Sequence, residues 1–510
     1  MSETTMPHSP TASGDSAAAP ARDAGAAFPP PASSRLTAPH ASTPPSPRSS
    51  AGAAAPKYLL ATYGCQMNEY DSNLVGAMLE KRGMSITENP DEADLFVVNT
   101  CSIRGGAEDK AYARVAALRH HKRHRPGVRI AVIGCMAQNH GEKIPVALEH
   151  VDYVVGPDGY GALEGMLFGE GTDDAGRPVT RDRDAAPVVW TEQNDFENYE
   201  GMIARLDGSV SAHVTIMRGC NKRCTYCIVP NVRGVERSRS ADEVIAEVRH
   251  IVSQGVQEVC LLGQTVNSYR DTSARNPDGT GAVTFAGLLR RLQEVDGLRR
   301  IRFTSPHPRH FDSETIRAIA ECDKVCKHVH MPLQSGSTAL LKKMRRQYTR
   351  ERYLEIVAEL RAAIPGVAIT TDIITGFVGE TEADFADTLS MMEAVRFDHA
   401  FMFSYSPREG TPAFGETETL TPAEKQERLE RVIELQMRHT EERLDALVGR
   451  TEEILIESPS SRNHEEWMGK TDGFKKVIVP AVPGRTLKQG DFVKARILER
   501  RGLILRGEVV

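Results

Sequence analysis

Three short apolar runs, at residues 58–63, 95–99 and 129–133, each end two residues before a cysteine: Cys65, Cys101 and Cys135, spaced 36 and 34 residues apart. Runs so brief, rich in branched side chains and lacking polar alternation read as strands buried on both faces. Helical stretches around 71–81 and 106–121 lie between them, so the order is βαβαβ, which implies a parallel sheet. In such a sheet the strand C-termini share one edge, the usual ligand crevice of an open α/β fold. Distance along the chain thereby becomes proximity in space. Three unrelated buried cysteines are the plain alternative, because Cys is among the most buried residue types. Equivalent placement after three consecutive strands argues against it, and Gly64 and Gly134, before two of them, permit a close approach of the backbone to a bulky ligand.

A larger unit follows. Candidate strands at 211–217, 257–262, 299–304, 326–331, 368–374 and 399–405 alternate with helices at 240–254, 283–295, 312–321, 338–345, 350–363 and 381–395. Six β/α units with right-handed crossovers imply one curled parallel sheet, a partial (β/α)6 barrel whose active face lies at the strand C-termini. Ser240 with Glu243 reads as a capping box, and Thr421 with Glu424 as another with Pro422 at the first helical position. The helix after Thr421 leads into residues 447–510, where short β-like runs separated by Gly and Pro predict a small antiparallel barrel.

The fold class is therefore α/β. Residues 56–170 form an open parallel sheet domain, 171–205 a linker or peripheral strand, 206–446 the large barrel and 447–510 the small one. Residues 1–55 hold 15 Ala, 10 Pro and 10 Ser, too few large apolar side chains to offset the entropy of ordering, and read as a disordered arm. Whole-chain charge is −6, which excludes a sequence-wide polyanion-binding surface but not a local one. The last 64 residues carry 12 Lys/Arg against 9 Asp/Glu, so a basic excess is concentrated in the terminal barrel. Nine cysteines, an odd number in a long chain, point to reduced thiols or metal ligands rather than disulfides. No run approaches the roughly 18 to 20 apolar residues of a membrane span. The expectation is a cytoplasmic monomer without membrane contact.

Cys220, Cys224 and Cys227 form C-x3-C-x2-C in the loop directly after the first strand of the large unit. Three thiolates on so short a loop can wrap one iron–sulfur cube and leave its fourth iron open. Structural zinc is the alternative, but it ordinarily takes four closed ligands, and no second cysteine pair follows. His213 is the nearest further candidate, and its place in the strand marks it as a core or wall residue. Cys260, Cys322 and Cys326 read as buried bystanders.

The spacing and position of that loop resemble the radical S-adenosylmethionine (SAM) superfamily. With the strand-end triplet before it and the small barrel after it, residues 57–510 resemble the methylthiotransferase family of radical SAM enzymes. The matching stretches are Thr62 to Ser72 (TYGCQMNEYDS), Gly219 to Pro230 with Arg233 and Gly234, Leu261 to Arg270 (LLGQTVNSYR) and Met331 to Ser337 (MPLQSGS). Gln66 and Met67 after Cys65 favour the tRNA-modifying branch over the ribosomal-protein branch. The resemblance implies that Cys220, Cys224 and Cys227 hold the SAM [4Fe-4S] cluster and that Cys65, Cys101 and Cys135 hold an auxiliary [4Fe-4S] cluster. It implies that the terminal barrel is a TRAM-like RNA-binding module.

The activity it implies is insertion of a methylthio group at carbon 2 of N6-isopentenyladenosine next to the anticodon of tRNA. One SAM methylates a cluster-borne sulfur and a second yields the 5′-deoxyadenosyl radical. Partners would be tRNA, an electron donor and a sulfur donor. Methylthiolation of threonylcarbamoyl-adenosine or of a ribosomal-protein aspartate, and a non-catalytic iron–sulfur RNA-binding protein, are the competing readings. Val378 and Thr265 stand where the family commonly has Pro and Asn.

Gln264, Asn267, Ser305, Gln334 and Asp372 fall near barrel strand C-termini, where a SAM pocket belongs; each is equally suited to capping a helix or satisfying a loop. Arg233 is a candidate for SAM, for an RNA phosphate or for bare solvent. Two basic runs, at 119–125 and 342–346, are candidate RNA contacts, with solvated helix ends as the alternative.

Overall fold

The computed structural model describes residues 55–510 except 103–104, 170–185, 200, 207, 277–278, 280, 482–483 and 485. The arm read at 1–55 lies, but for its last residue, outside the described residues, as does much of the stretch read as a linker.

The first domain is a six-stranded sheet, parallel throughout. Its order is Ser85–Ile86, Lys57–Tyr63, Leu95–Thr100, Arg129–Gly134, Tyr153–Val155 and Val188–Trp190. Alternation along the strand Leu95–Thr100 sends Leu95 and Val97 into the layer under the helices Gln66–Lys81 and Tyr160–Phe168. Phe96 and Val98 enter the opposite layer, with Ala111 and Val115. Both faces are thus buried, as the unbroken apolar runs require. The strand Val188–Trp190, from the peripheral stretch, forms the sixth member of the sheet.

The large unit contains the six expected strands, but in two three-stranded parallel sheets. One runs Arg300–Phe303, Glu258–Leu262, Ser211–Thr215; the other His328–His330, Ala368–Thr375, His399–Ser404. They meet at a single bridge between Ile301 and Val325, and one apolar core spans both. The single curled sheet expected from the pattern is interrupted between Arg300–Phe303 and His328–His330, which share no strand pairing among the described residues beyond that bridge.

Helix ends show a second difference. Thr421 and Glu424 form the expected capping box. At Ser240 the side chain makes no capping bond, and the Ala241 N–H donates instead to Asp271 Oδ2 at 2.8 Å. A charged acceptor from a neighbouring hairpin has replaced the local hydroxyl.

The terminal unit is a closed five-stranded barrel: Thr451–Pro459, Glu466–Thr471, Lys476–Pro480, Ile504–Val509, Phe492–Arg501. It is not wholly antiparallel, since Lys476–Pro480 pairs in parallel with Ile504–Val509. The strand Glu466–Thr471 was not expected, because its sequence, EWMGKT, is too polar to resemble its neighbours. This barrel is fixed to the large unit through backbone carbonyls. Arg300 donates to the oxygens of Lys470 and Glu453, and Arg302 to those of Thr471 and Asp472. Among the described residues no helix is long and apolar enough to cross a membrane.

Candidate cofactor centre at the domain interface

The three strand-end cysteines occupy the same edge. The strands before them are neighbours in register, with Tyr63 opposite Thr100 and Thr100 opposite Gly134. Cys65 opens the helix Gln66–Lys81, whose first turn carries the signature residues, and these make a buried polar lattice under the cysteines. Asn68 donates to Asn99 Oδ1 at 2.9 Å and to the Thr100 carbonyl at 3.1 Å, while Asn99 donates to the Asn68 carbonyl and to Ser72 Oγ. Gly134 has φ +93°, and a Cβ there would collide with Asn99 Oδ1 and the Thr100 carbonyl; one at Gly64 would collide with Asn68. The close approach these glycines allow is thus to the protein's own asparagine lattice.

Cys65 Sγ donates to Asn68 Oδ1 at 3.4 Å. A hydrogen bond with Cys101, against the effect of burial and aided by the Arg233 guanidinium, draws the Cys65 thiol down to about 6. Burial pushes the Cys135 thiol up, and Arg233 opposes that as well.

The C-x3-C-x2-C loop is pinned along its length. Cys220 N–H donates to the Gly234 carbonyl, Thr225 N–H to that of Met344, and Cys227 N–H to that of Cys224. Two side chains face its sulfurs: Thr265 Oγ1 lies 3.5 Å from Cys220 Sγ, and Arg346 Nη1 donates to Cys224 Sγ at 3.5 Å. Burial pushes the Cys220 thiol up and, with the Cys224 charge, brings Cys227 to about 12. Thiols so raised ionise only when a metal takes the proton's place.

The helix Val229–Arg233, which starts two residues after Cys227, carries this loop onto the first domain. Ile228 and Val232 pack against Cys135. Arg233, expected at SAM, at RNA or in solvent, is instead 3% exposed, with Nη2 3.0 Å from Asp71 Oδ2. The same carboxylate accepts from Arg218, the residue before Gly219, at 2.7 Å. Arg237 pairs with Asp158 and Arg239 with Glu247, also buried. Tyr70 extends the lattice by donating to Glu247.

Among the described residues no three His, Cys, Asp or Glu side chains stand close enough for a single metal ion. The fit of either triplet is therefore judged for a larger group, by donor chemistry and charge. Each offers three thiols, the donor set of an iron–sulfur cube with one open iron. Beside the first triplet, the buried Arg233 guanidinium holds Nη2 3.0 Å from Asp71 Oδ2, but neither of its terminal nitrogens makes a well-aligned hydrogen bond among the described residues. Both triplets fit a cluster, and the first has a buried guanidinium beside it that shares its one carboxylate, Asp71, with Arg218.

The remaining expected residues separate. Gln264 Oε1 is buried without a hydrogen-bond partner among the described residues, as a ligand-facing amide would be. Asn267 spends its amide on the loop after the third strand, donating to the His307 carbonyl and accepting from the His307 N–H. Ser305 and Gln334 sit at left-handed backbone, φ +58° and +70°. Gln334 N–H bonds the Asp372 carbonyl, and Asp372 Oδ2 lies 3.5 Å from His330 Nε2, a partner the sequence reading missed. His213 Nδ1 faces Glu69 at 3.5 Å. Burial pushes Cys260 up to about 12 and raises Cys322 and Cys326, as it does the loop cysteine Cys227.

The basic runs also divide. Residues Arg119–His124 form their own short helix, and Arg119, Lys122 and Arg123 line a surface cavity of about 220 Å³ with Glu149 and His150. In the second run Lys343 pairs with Glu416, and Arg346 turns inward to Cys224.

Models of known families match three stretches: the Radical SAM superfamily at 214–392, Uncharacterized protein family UPF0004 at 57–156 and the TRAM domain at 445–510. The chain is 42% identical over 456 residues to a protein of Moorella thermoacetica, covering 89% of this chain and 98% of that one. It is 42% identical over 461 residues to one of Acetivibrio thermocellus, covering 89% and 91%. A Bacteroides fragilis protein is 41% identical over 457 residues, covering 89% and 96%. All three relatives are named tRNA-2-methylthio-N(6)-dimethylallyladenosine synthase.

Proposed function

The chain belongs to the tRNA-2-methylthio-N(6)-dimethylallyladenosine synthase family of radical SAM enzymes, and from that premise we propose that it inserts a methylthio group at carbon 2 of N6-isopentenyladenosine next to the anticodon of tRNA. SAM and a [4Fe-4S] cluster come with the superfamily. The finer reading has two clusters, one on Cys220, Cys224 and Cys227 and an auxiliary one on Cys65, Cys101 and Cys135. When bound, these groups supply the one-electron cleavage of SAM and a carried sulfur.

The chain's own residues supply position and isolation. Cys101, Cys135 and Cys224 are buried while Cys65, Cys220 and Cys227 are half-buried, so each triplet turns part of its sulfur set away from water. Gln264, with its unpartnered oxygen, is the best supported SAM contact of the five candidates. Asn267 acts through the loop it holds, and Asp372 is oriented by His330. The TRAM-like barrel, 447–510, is the RNA-binding module, and 56–170 and 206–446 hold the auxiliary and SAM clusters. An electron donor, a sulfur donor and tRNA complete the reaction, which we place in the cytoplasm and in a monomer.

The packing of Cys135 on Ile228 and Val232 carries the two-cluster reading, because it puts the two cysteine triplets on either side of one interface, as sulfur transfer to a radical site demands. Iron analysis tests it: about eight irons per chain are expected, and about four in either Cys65→Ala or Cys224→Ala. Cys65→Ala should still release 5′-deoxyadenosine from SAM while losing methylthio product; Cys224→Ala should lose both. Mass spectrometry of nucleosides from a deletion strain tests the substrate, and unchanged methylthio-isopentenyl-adenosine would refute it.

A further inference from the structure

The interface between the first two domains buries four arginines, Arg218, Arg233, Arg237 and Arg239, against three carboxylates, Asp71, Asp158 and Glu247. Arg237 and Arg239 each have their own acid, and Arg218 has the well-aligned oxygen of Asp71 at 2.7 Å. Arg233 is left with the second oxygen of a carboxylate already used. Two buried guanidinium groups on one carboxylate leave the interface one negative charge short, and a further anion beside Arg233 would make up the difference. Arg233's other ionisable neighbours are Cys135, Cys65 and the phenol of Tyr160. A [4Fe-4S]2+ core on three thiolates carries a net charge of −1, which matches the surplus.

We propose that Arg233 is the counter-ion of the auxiliary cluster, donating from its terminal nitrogens to the sulfurs of that cluster. The proposal rests on Cys65, Cys101 and Cys135 holding a cluster. Its consequence is that a residue only six positions after Cys227 sets the charge balance at the other centre. A guanidinium there favours the reduced, more negative cluster and so raises its potential. It also makes the closed interface depend on the cluster being present.

The first test removes the SAM cluster with Cys224→Ala and titrates the remaining cluster in the reconstituted full chain by EPR, each cluster taking one electron from dithionite with no bond broken. About four irons per chain in this parent establish the auxiliary cluster; their absence would defeat the two-cluster reading itself, before Arg233 is tested. In that background Arg233→Gln should disfavour reduction about tenfold, a shift of about 59 mV to more negative potential for a one-electron couple, and Arg233→Lys should recover part of it. An unchanged potential at full iron would overturn the proposal.

The second test does not need the Arg233 variant to hold a cluster. In the full chain with Cys65→Ala, Cys101→Ala and Cys135→Ala together, Arg233→Met should raise the urea midpoint, because a stranded charge is removed. In the reconstituted enzyme the same change should lower it. A lower midpoint in both would make Arg233 merely a partner of Asp71 and overturn the assignment.

Discussion

Asp71 Oδ1 accepts a hydrogen bond from Arg218 Nη2 at 2.7 Å, with both side chains closed to solvent, at 0% and 2% exposure. Asp71 lies on the helix that begins beside Cys65; Arg218 immediately precedes Gly219 and Cys220. One carboxylate therefore joins the two cysteine-bearing loops, and the Tyr160 hydroxyl donates to its other oxygen at 3.3 Å.

Asp71→Asn keeps the shape of that side chain and removes its charge. Two buried guanidinium groups then share no acid, and breaking one side of a buried pair typically costs about 3–5 kcal/mol. Urea unfolding should show a loss of that order. A loss below about 1 kcal/mol would mean that the interface carries no net charge strain.

The two basic runs should behave differently in tRNA binding. Arg119→Ala with Arg123→Ala removes exposed charge from the short helix Arg119–His124. If these residues meet phosphates, affinity falls and the slope of log K against log salt becomes shallower by about 1 to 2, at roughly 0.7–0.9 per lost contact. Arg346→Gln, inside the protein at Cys224, should leave tRNA affinity and its salt slope unchanged while reducing 5′-deoxyadenosine formation from SAM. Filter binding across a salt series and a SAM-cleavage assay separate the two.

That contrast marks where sequence reading stops. The strand-end cysteines were legible because a strand has period two and a parallel sheet collects its C-termini on one edge, so position alone implied proximity. Arg346 was not legible, because a run of like charges says nothing about which member turns inward. The reason is conformational: Arg345 and Gln347, on either side, adopt left-handed backbone at φ +57° and +61°, which reverses the chain locally and drives Arg346 into the core. His330 escaped notice because its partner Asp372 is 42 residues away on another strand. The split of the large sheet escaped because an apolar run shows that a strand is buried and not which neighbour it pairs with.

Gly134→Ala is the sharpest check of the cysteine edge. Its φ of +93° disfavours any side chain, and the new methyl would strike the Asn99 side chain and the Thr100 carbonyl beneath Cys101 and Cys135. Strain of this kind costs of order 1–3 kcal/mol, to which the disturbed Asn68–Asn99 bonds add. The variant should unfold at lower urea and, after reconstitution, retain iron for the Cys220, Cys224 and Cys227 cluster while losing it from the other. Equal loss of iron from both would contradict a local effect.

The helix Ala241–Ser253 offers a test of which residue caps it. Ser240 occupies the N-cap position without making the bond, and Asp271 accepts from Ala241 N–H and from Ser273 N–H and Oγ. Burial pushes the Asp271 carboxyl up, but these hydrogen bonds outweigh it and hold the group below the usual carboxylate range. Asp271→Ala should therefore cost about 1–2 kcal/mol at neutral pH, and Ser240→Ala close to nothing. A group lowered on folding contributes fully above its unfolded value, about 3.9 for Asp, and loses that contribution as pH falls through the lower folded value. The difference between wild type and Asp271→Ala in urea midpoint should thus be constant from neutral pH to about 5 and narrow below about 4. Equal costs for the two alanine variants would restore the local capping box that the spacing of Ser240 and Glu243 suggests.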